Sequence, residues 1–149
     1  MPPALKNGTN NAPTYQLEEQ VGHALRRAHQ RASAIFMARF AEHELTPTQF
    51  ATLVKIGDEG EVSQNQLGRL TAMDPATMTG VIGRLRGRGM IVSKPDATDK
   101  RRTLWRLTET GTRTLAKALP AGIATTEETL APLNEGERRV FLELLLRLK

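Results

Sequence analysis

The sequence predicts a mainly α-helical chain with one small β-hairpin, an α+β class, and three observations carry that expectation. Residues with helix-capping chemistry (Thr46, Ser63, Asp74, Thr108 and Asn134) stand just ahead of apolar runs with helical spacing. The alternating stretches are two, short and adjacent: "MIVSK" from Met90 and "RTLWRLT" from Arg102. Of 149 residues 39% are hydrophobic and 25% charged, enough for one core, and with aromatics at only 4% that core must be aliphatic.

In chain order, residues 1–13 hold three prolines and small polar residues and are expected to form a disordered tail. From Tyr15 to about Glu42, Leu17, Val21, Leu25, Ala28, Ala32 and Ile35 mark one apolar stripe of a long helix. "TPTQ" opens the next helix, with Thr46 as cap, Pro47 at the first position and Gln49 closing a capping box. A second box, Ser63 to Gln66, opens a short helix with Leu67 and Leu70 inward. After the turn Thr71–Met73, Asp74 caps a further helix that starts at Pro75, and two short helices so joined are a helix-turn-helix. Gly89 ends that helix, the two strands follow, and the polar loop "PDATDKR" between them makes a wing. Thr103, Trp105 and Leu107 share one strand face, so Trp105 reads as core, while Arg102, Leu104 and Arg106 share the other. Thr108 caps a helix that Pro120 should kink or split. Asn134 and Glu137 box the last helix, whose apolar face (Val140, Phe141, Leu144, Leu145, Leu148) is wide enough to require a partner, hence homodimerisation. The expected domains are a tail at 1–13, a dimerisation and pocket helix at 14–44, a winged helix-turn-helix at 45–108, and dimerisation helices at 109–149.

The helix after Asp74 is unusual. Met78, Val81, Ile82 and Leu85 recur at helical spacing, but Gly80, Gly83 and Gly87 interrupt them, each interior glycine costing about 0.8–1.0 kcal/mol relative to alanine. Between Arg84 and Arg106 stand eight basic and two acidic residues, a net of +6 in a chain whose total is +5. Charge so concentrated is the footprint of a polyanion binder, with a merely solvated basic face as the bland alternative.

The chain has no cysteine, which excludes disulfides, thiolate metal sites and thiol redox sensing. His23, His29 and His43 lack the i, i+4 spacing of a helical metal pair, so neither metal nor cofactor is expected. No GxSxG, HExxH or P-loop spacing is present, which argues against an enzyme. The start lacks a secretory pattern and no apolar run is long enough for a bilayer, so a cytoplasmic protein without membrane contact is expected.

"TMTGVIGRLRGRGMI", with Arg84, Leu85 and Gly89 in register, then "DATDKRR" in the wing and "LTETG" entering the next helix, resembles the MarR family of bacterial winged-helix regulators. With the flanking helices the likeness covers roughly residues 15–149. It implies an obligate dimer, binding to palindromic operators, most often as a repressor, and release by small aromatic acids or phenols. "YQLEEQVGHALRRAHQ", "LTPTQF" and "AMDPAT" look closest to the branch controlling aromatic or N-heteroaromatic acid catabolism, of hydroxynicotinate or hydroxybenzoate type. Many members carry a basic residue after the threonine at position 79, where this chain has Gly80.

A recognition helix packed through Met78, Val81, Ile82 and Leu85 turns Pro75, Ala76, Thr77, Thr79, Gly80, Gly83 and Arg84 toward a major groove about 12 Å wide. Short side chains let the backbone approach, and the Thr77 and Thr79 hydroxyls are expected to meet bases or phosphates. Arg84, Arg86, Ser63, Gln64 and Asn65 are expected on phosphates. Thr98 and Lys100 are expected at the adjacent minor groove. Asp99 and Arg101 match the wing's Asp-x-Arg pair and read as a loop-shaping ion pair, with Arg101 also expected among the DNA-binding residues. For the effector, His29, Ser33, Phe36 and Phe40 form a stripe on the first helix, with Phe50 opposite and Arg106 as a carboxylate partner, beside the simpler reading of a core edge. The rival function is a sequence-independent architectural DNA-binding protein without a ligand.

Overall fold

The computed structural model describes residues 13–149. The tail expected over 1–13 lies, but for Pro13, outside the described residues. A single 3-10 turn, Leu17–Glu19, precedes α1 (Val21–Arg39). The expected long helix is thus shorter at both ends. Gln20 is extended at its start, and the chain turns out through Glu44, which holds a left-handed φ of 52°.

Next come α2 (Pro47–Glu59), β1 (Val62–Ser63), α3 (Gln64–Thr71), α4 (Pro75–Gly87), β2 (Ile91–Pro95), β3 (Thr103–Leu107), α5 (Glu109–Thr129) and α6 (Glu135–Leu146). Every cap expected from sequence forms. Thr46 and Asn134 each close a reciprocal box with Gln49 and Glu137, and Ser63, Asp74 and Thr108 accept the amides of Gln66, Thr77 and Gly111. At Ser63 only this half of the box forms, because the residue also ends strand β1, paired with Leu104. That strand was not expected: the hairpin is a three-stranded antiparallel sheet in the order β1-β3-β2. Two residues are too short for any alternating signal.

The core lies between this sheet and the helices. Leu53 and Ile56 of α2, Val62, Leu67 of α3, and Met78, Val81, Ile82 and Leu85 of α4 are buried, with Met90, Ile91 and Trp105 beneath them. Leu70, expected inward, is 40% exposed, since α3 is only two turns long and Leu67 alone reaches α2. A buried aliphatic side chain is worth about 1.5–3 kcal/mol, so any two of the four on α4 offset its glycines. Gly87 is the helix's last residue and costs it little.

Pro120 does not split α5, which runs unbroken through it. α6 buries none of its residues; Val140, Phe141, Leu142, Leu144, Leu146 and Leu148 are between 39% and 69% exposed. Across from them Val21 and Leu25 of α1 are exposed too, leaving an apolar groove between the two helices.

Two glycines separate packing from propensity. A Cβ at Gly111 would stand 2.0 Å from the Met90 carbonyl oxygen, whereas one at Gly83 meets nothing within 4 Å. In urea denaturation Gly111→Ala is expected to lose about 1–3 kcal/mol. Gly83→Ala is expected to gain about 0.8–1 kcal/mol.

Candidate nucleic-acid interface

α4 presents two faces. One packs through Met78, Val81, Ile82 and Leu85. The other leaves Pro75, Ala76, Thr77, Thr79, Gly83 and Arg84 exposed, with Gly80 half-buried among them. A Cβ at Gly80 would meet only the Arg84 guanidinium, at 3.7 Å. Nothing inside the chain therefore requires Gly80 or Gly83; both leave bare backbone on the outward face.

The threonine hydroxyls are not free, contrary to expectation. Thr77 donates to Asp74 at 2.8 Å, the same carboxylate that takes the Thr77 amide. Thr79 donates to the Pro75 carbonyl at 2.9 Å and accepts from Gln64 Nε2 at 2.9 Å. Both lie in the first turns of α4, where the Asp74 carboxylate and the Pro75 carbonyl one turn back are near enough to take the proton of a short hydroxyl side chain. Their methyl groups, and Ala76, remain for apolar contact. Ser63 is likewise withdrawn: it is buried and caps α3.

A polar cleft runs from α3 across the end of α4 to the wing. It brings Gln64 and Asn65 together with Arg86 and Arg101, as expected, and adds Arg69 and Arg102. Arg69 was legible: it stands four residues after Asn65 on the same helical face. Arg102 was assigned to a strand, but β3 begins one residue later and Arg102 closes the base of the wing loop, its carbonyl accepting the Asp96 amide at 2.9 Å. Four arginines around one cleft suit a phosphodiester backbone.

The wing is held by its own carboxylates. Asp96 accepts the Thr98 amide and hydroxyl at 2.9 and 2.8 Å, so Thr98 shapes the loop rather than projecting its hydroxyl. Asp99 accepts the Arg101 amide at 3.1 Å and faces its guanidinium at 3.3 Å. The Arg101 side chain is 92% exposed, so that pair is weak and the cation remains available to a polyanion. Lys100 is exposed at the tip, and Lys94 is paired with Glu61.

The expected effector residues separate into three groups. The Phe36 and Phe40 rings stack at 3.9 Å, and Phe50 meets Phe40 edge-on at 4.8 Å. A Cβ at Gly122 would lie 2.8 Å from the Phe50 ring, so the aromatic cluster is filled by helix α5. His29 and Ser33 sit 3.4 Å apart toward solvent. Arg106 instead lines a separate cleft of about 730 Å³ between α2, β3 and α5, walled by Val54, Leu107, Leu115 and Leu119. The two carboxylates at its rim are engaged elsewhere: Asp58 with Lys55 at 3.3 Å, and Glu61 with Lys94. Arg106 has no ion-pair partner among the described residues.

Hydrogen bonds from the Thr77 amide and hydroxyl hold the Asp74 carboxyl below its ordinary 3.8, outweighing a small opposing effect of burial. The Thr98 amide and hydroxyl, and then the Arg102 charge, do the same for Asp96. With folded values below unfolded ones, each contribution is complete above the ordinary value and lost as pH falls through the depressed one. The Thr77 and Thr98 amide shifts are therefore expected to stay flat from neutral pH to about pH 5 and to move only in stronger acid. At neutral pH, Gly80→Leu is expected to keep or raise the urea midpoint, as a better helix former in open space, and to weaken DNA binding; unchanged binding would remove the groove-facing role of that glycine.

The MarR family pattern matches residues 45–103, from the start of α2 to the second wing strand. The transcriptional repressor NicR of Pseudomonas putida is 40% identical over 139 residues, 93% of this chain and 87% of that protein. A probable transcriptional regulator from Pseudomonas aeruginosa superposes with a TM-score of 0.87 at 44% identity, over 90% of this chain and all of that one. Bordetella bronchiseptica BpsR, whose DNA binding is regulated by 6-hydroxynicotinic acid, superposes with a TM-score of 0.88 at 37% identity, over 91% and 97%. Likeness of this extent over nearly the whole chain, together with the winged helix-turn-helix, shows that the chain belongs to the MarR family.

Proposed function

We propose that the chain is a transcriptional repressor that binds a palindromic operator as a homodimer and is released by a small aromatic or heteroaromatic acid. The observation that carries this is the outward face of α4, with bare backbone at Gly80 and Gly83 and the arginine-lined cleft beside it. That surface suits a helix entering a major groove with phosphates gripped at its edge. The repressor NicR and the 6-hydroxynicotinic acid response of BpsR support both parts of the reading. A regulator needs no catalytic residues, and it works in the cytoplasm where the DNA is.

Homodimerisation rests on α1 and α6. Their exposed apolar residues line one groove, and a second copy of the same helices would cover it. Two copies of α4 then present themselves to successive major-groove faces, about 34 Å apart.

The effector fits the cleft at Arg106. Arg106, without an ion-pair partner among the described residues, lines the cleft together with Leu107, Leu115 and Leu119, a cation for a carboxylate and an apolar surface for an aromatic ring. The cleft belongs to α2, β3 and α5 together, so a ligand there bears on the angle between the DNA-binding elements and the helices of the dimer.

Two measurements test these statements. At one fixed salt concentration, a palindromic operator from the adjacent promoter is expected to bind at least about 10³-fold tighter than random duplex. Equal affinities would favour an architectural DNA-binding protein. Separately, 6-hydroxynicotinic acid or a related aromatic acid is expected to raise the Tm and weaken operator binding. Arg106→Leu is expected to abolish both responses while leaving operator affinity within about twofold; retained responses would move the effector elsewhere.

A further inference from the structure

We propose that Gln64 reads an adenine in the major groove, and that Thr79 is the positioning residue that holds its amide in the reading orientation. This rests on operator binding as proposed above. It goes beyond it by giving a base-reading role to α3, whose first residues were expected to meet only phosphates.

The orientation follows from one proton. The Thr79 hydroxyl donates to the Pro75 carbonyl at 2.9 Å, so toward α3 it can only accept. Gln64 Nε2 lies 2.9 Å from that oxygen. Because the oxygen needs a donor, the nitrogen end of the amide and not the oxygen end must face Thr79. One Nε2 hydrogen is thereby used. The other, and both lone pairs of Oε1, make no hydrogen bond among the described residues.

A spare donor and acceptor on one planar amide match one base edge in the major groove. Adenine presents N6–H as donor beside N7 as acceptor, and a glutamine amide pairs with both. A phosphate would take only the remaining Nε2 hydrogen and leave Oε1 without a donor, whereas an adenine edge uses both groups. The cations for phosphates stand close by in any case: Gln64 lines the same cleft as Arg69, Arg86, Arg101 and Arg102. On its other side it borders a second cleft with Pro75 and Met78, at the start of α4. It therefore sits on the ridge between the arginines and the N-terminal turn of the recognition helix, where base edges pass.

The anchoring also has an entropic consequence. A free glutamine side chain loses up to about 1.5–2 kcal/mol of rotamer freedom when it is ordered on a ligand. Gln64 is already tied to α4 across the helix pair, so much of that loss precedes DNA binding.

Duplexes randomised across a half-site, selected first with the wild-type chain, test the proposal. The wild type is expected to enrich one sequence with an adenine at a symmetric position in each half. Gln64→Ala should relax the preference at that position alone, by roughly 5- to 150-fold. Thr79→Val should relax the same position, and Thr79→Ser, which keeps the hydroxyl, should restore it. Matched urea midpoints of the variants exclude a folding cause. A uniform loss of affinity across all sequences would make Gln64 a phosphate contact and overturn the proposal, as would an unchanged selected sequence. If the wild type itself enriches nothing, operator binding fails and this inference with it.

Discussion

The carbonyl of Met90 is where the recognition helix, the wing and the following helix α5 are joined. The chain leaves α4 through Gly89, at a φ of 71°, runs out along β2, turns in the wing and returns along β3. On its return the Thr108 amide donates to the Met90 carbonyl at 3.0 Å, and the Thr108 hydroxyl donates to the Gly89 carbonyl at 2.6 Å. The same hydroxyl then caps α5 by accepting the Gly111 amide. Gly111 must be glycine because the first turn of α5 lies directly on that carbonyl. One carbonyl and one hydroxyl thus fix the end of α4 against the beginning of α5.

Around this junction the structure divides rigidity unevenly. α4 is a poor helix in isolation, held by its buried side and its Asp74 cap, and its outward face has almost no side-chain bulk. The threonine hydroxyls on that face are already bonded within the chain. DNA therefore meets a preformed surface in which the Thr77 and Thr79 hydroxyls order their neighbours, while methyl groups, an anchored amide and exposed arginines remain for contact. Such a surface loses less entropy on binding than one of free side chains. Sequence preference then comes from a few fixed contacts, and affinity from salt-sensitive arginines.

What could be read in advance follows the range of the interaction. Caps depend on residues three apart, and all five were legible, as was the buried stripe of α4. The glycines of α4 could be seen as anomalous, and the structure adds that nothing inside the chain needs them. The Gln64–Thr79 bond joins residues fifteen apart on two helices, and no local pattern announces it. β1 was missed because its pairing with Trp105 and Leu104 spans some forty residues and involves only two positions. The aromatic stripe of α1 showed helical spacing, but spacing cannot tell a cavity from a filled core. Phe50 and Gly122 close it from two other helices. Arg106 lay on the predicted strand face, yet its surroundings are set by α2 and α5, remote in sequence.

The place of the Arg106 cleft relative to the Met90 junction gives the proposed regulation a physical route. Leu107 walls the cleft and is also paired with Ile91, the residue after Met90. Thr112 and Leu115, from the first turns of α5, line the cleft just beyond Gly111. On the α2 side there is little slack, since a Cβ at Gly57 would already meet Leu115 at 3.1 Å. On the proposed function, an aromatic ring seated deeply enough to reach the tight Gly57–Leu115 contact would move α2 against α5 rather than compress side chains. The Met90 contact resists separation of α5 from the end of α4, so such a displacement would be taken up as a tilt about that point. In a dimer built on α1 and α6, a tilt of α5 against the DNA-binding elements changes the separation of the two recognition helices. Operator spacing is set by the DNA, so a small change of angle at Gly111 is enough to cost one half-site its fit.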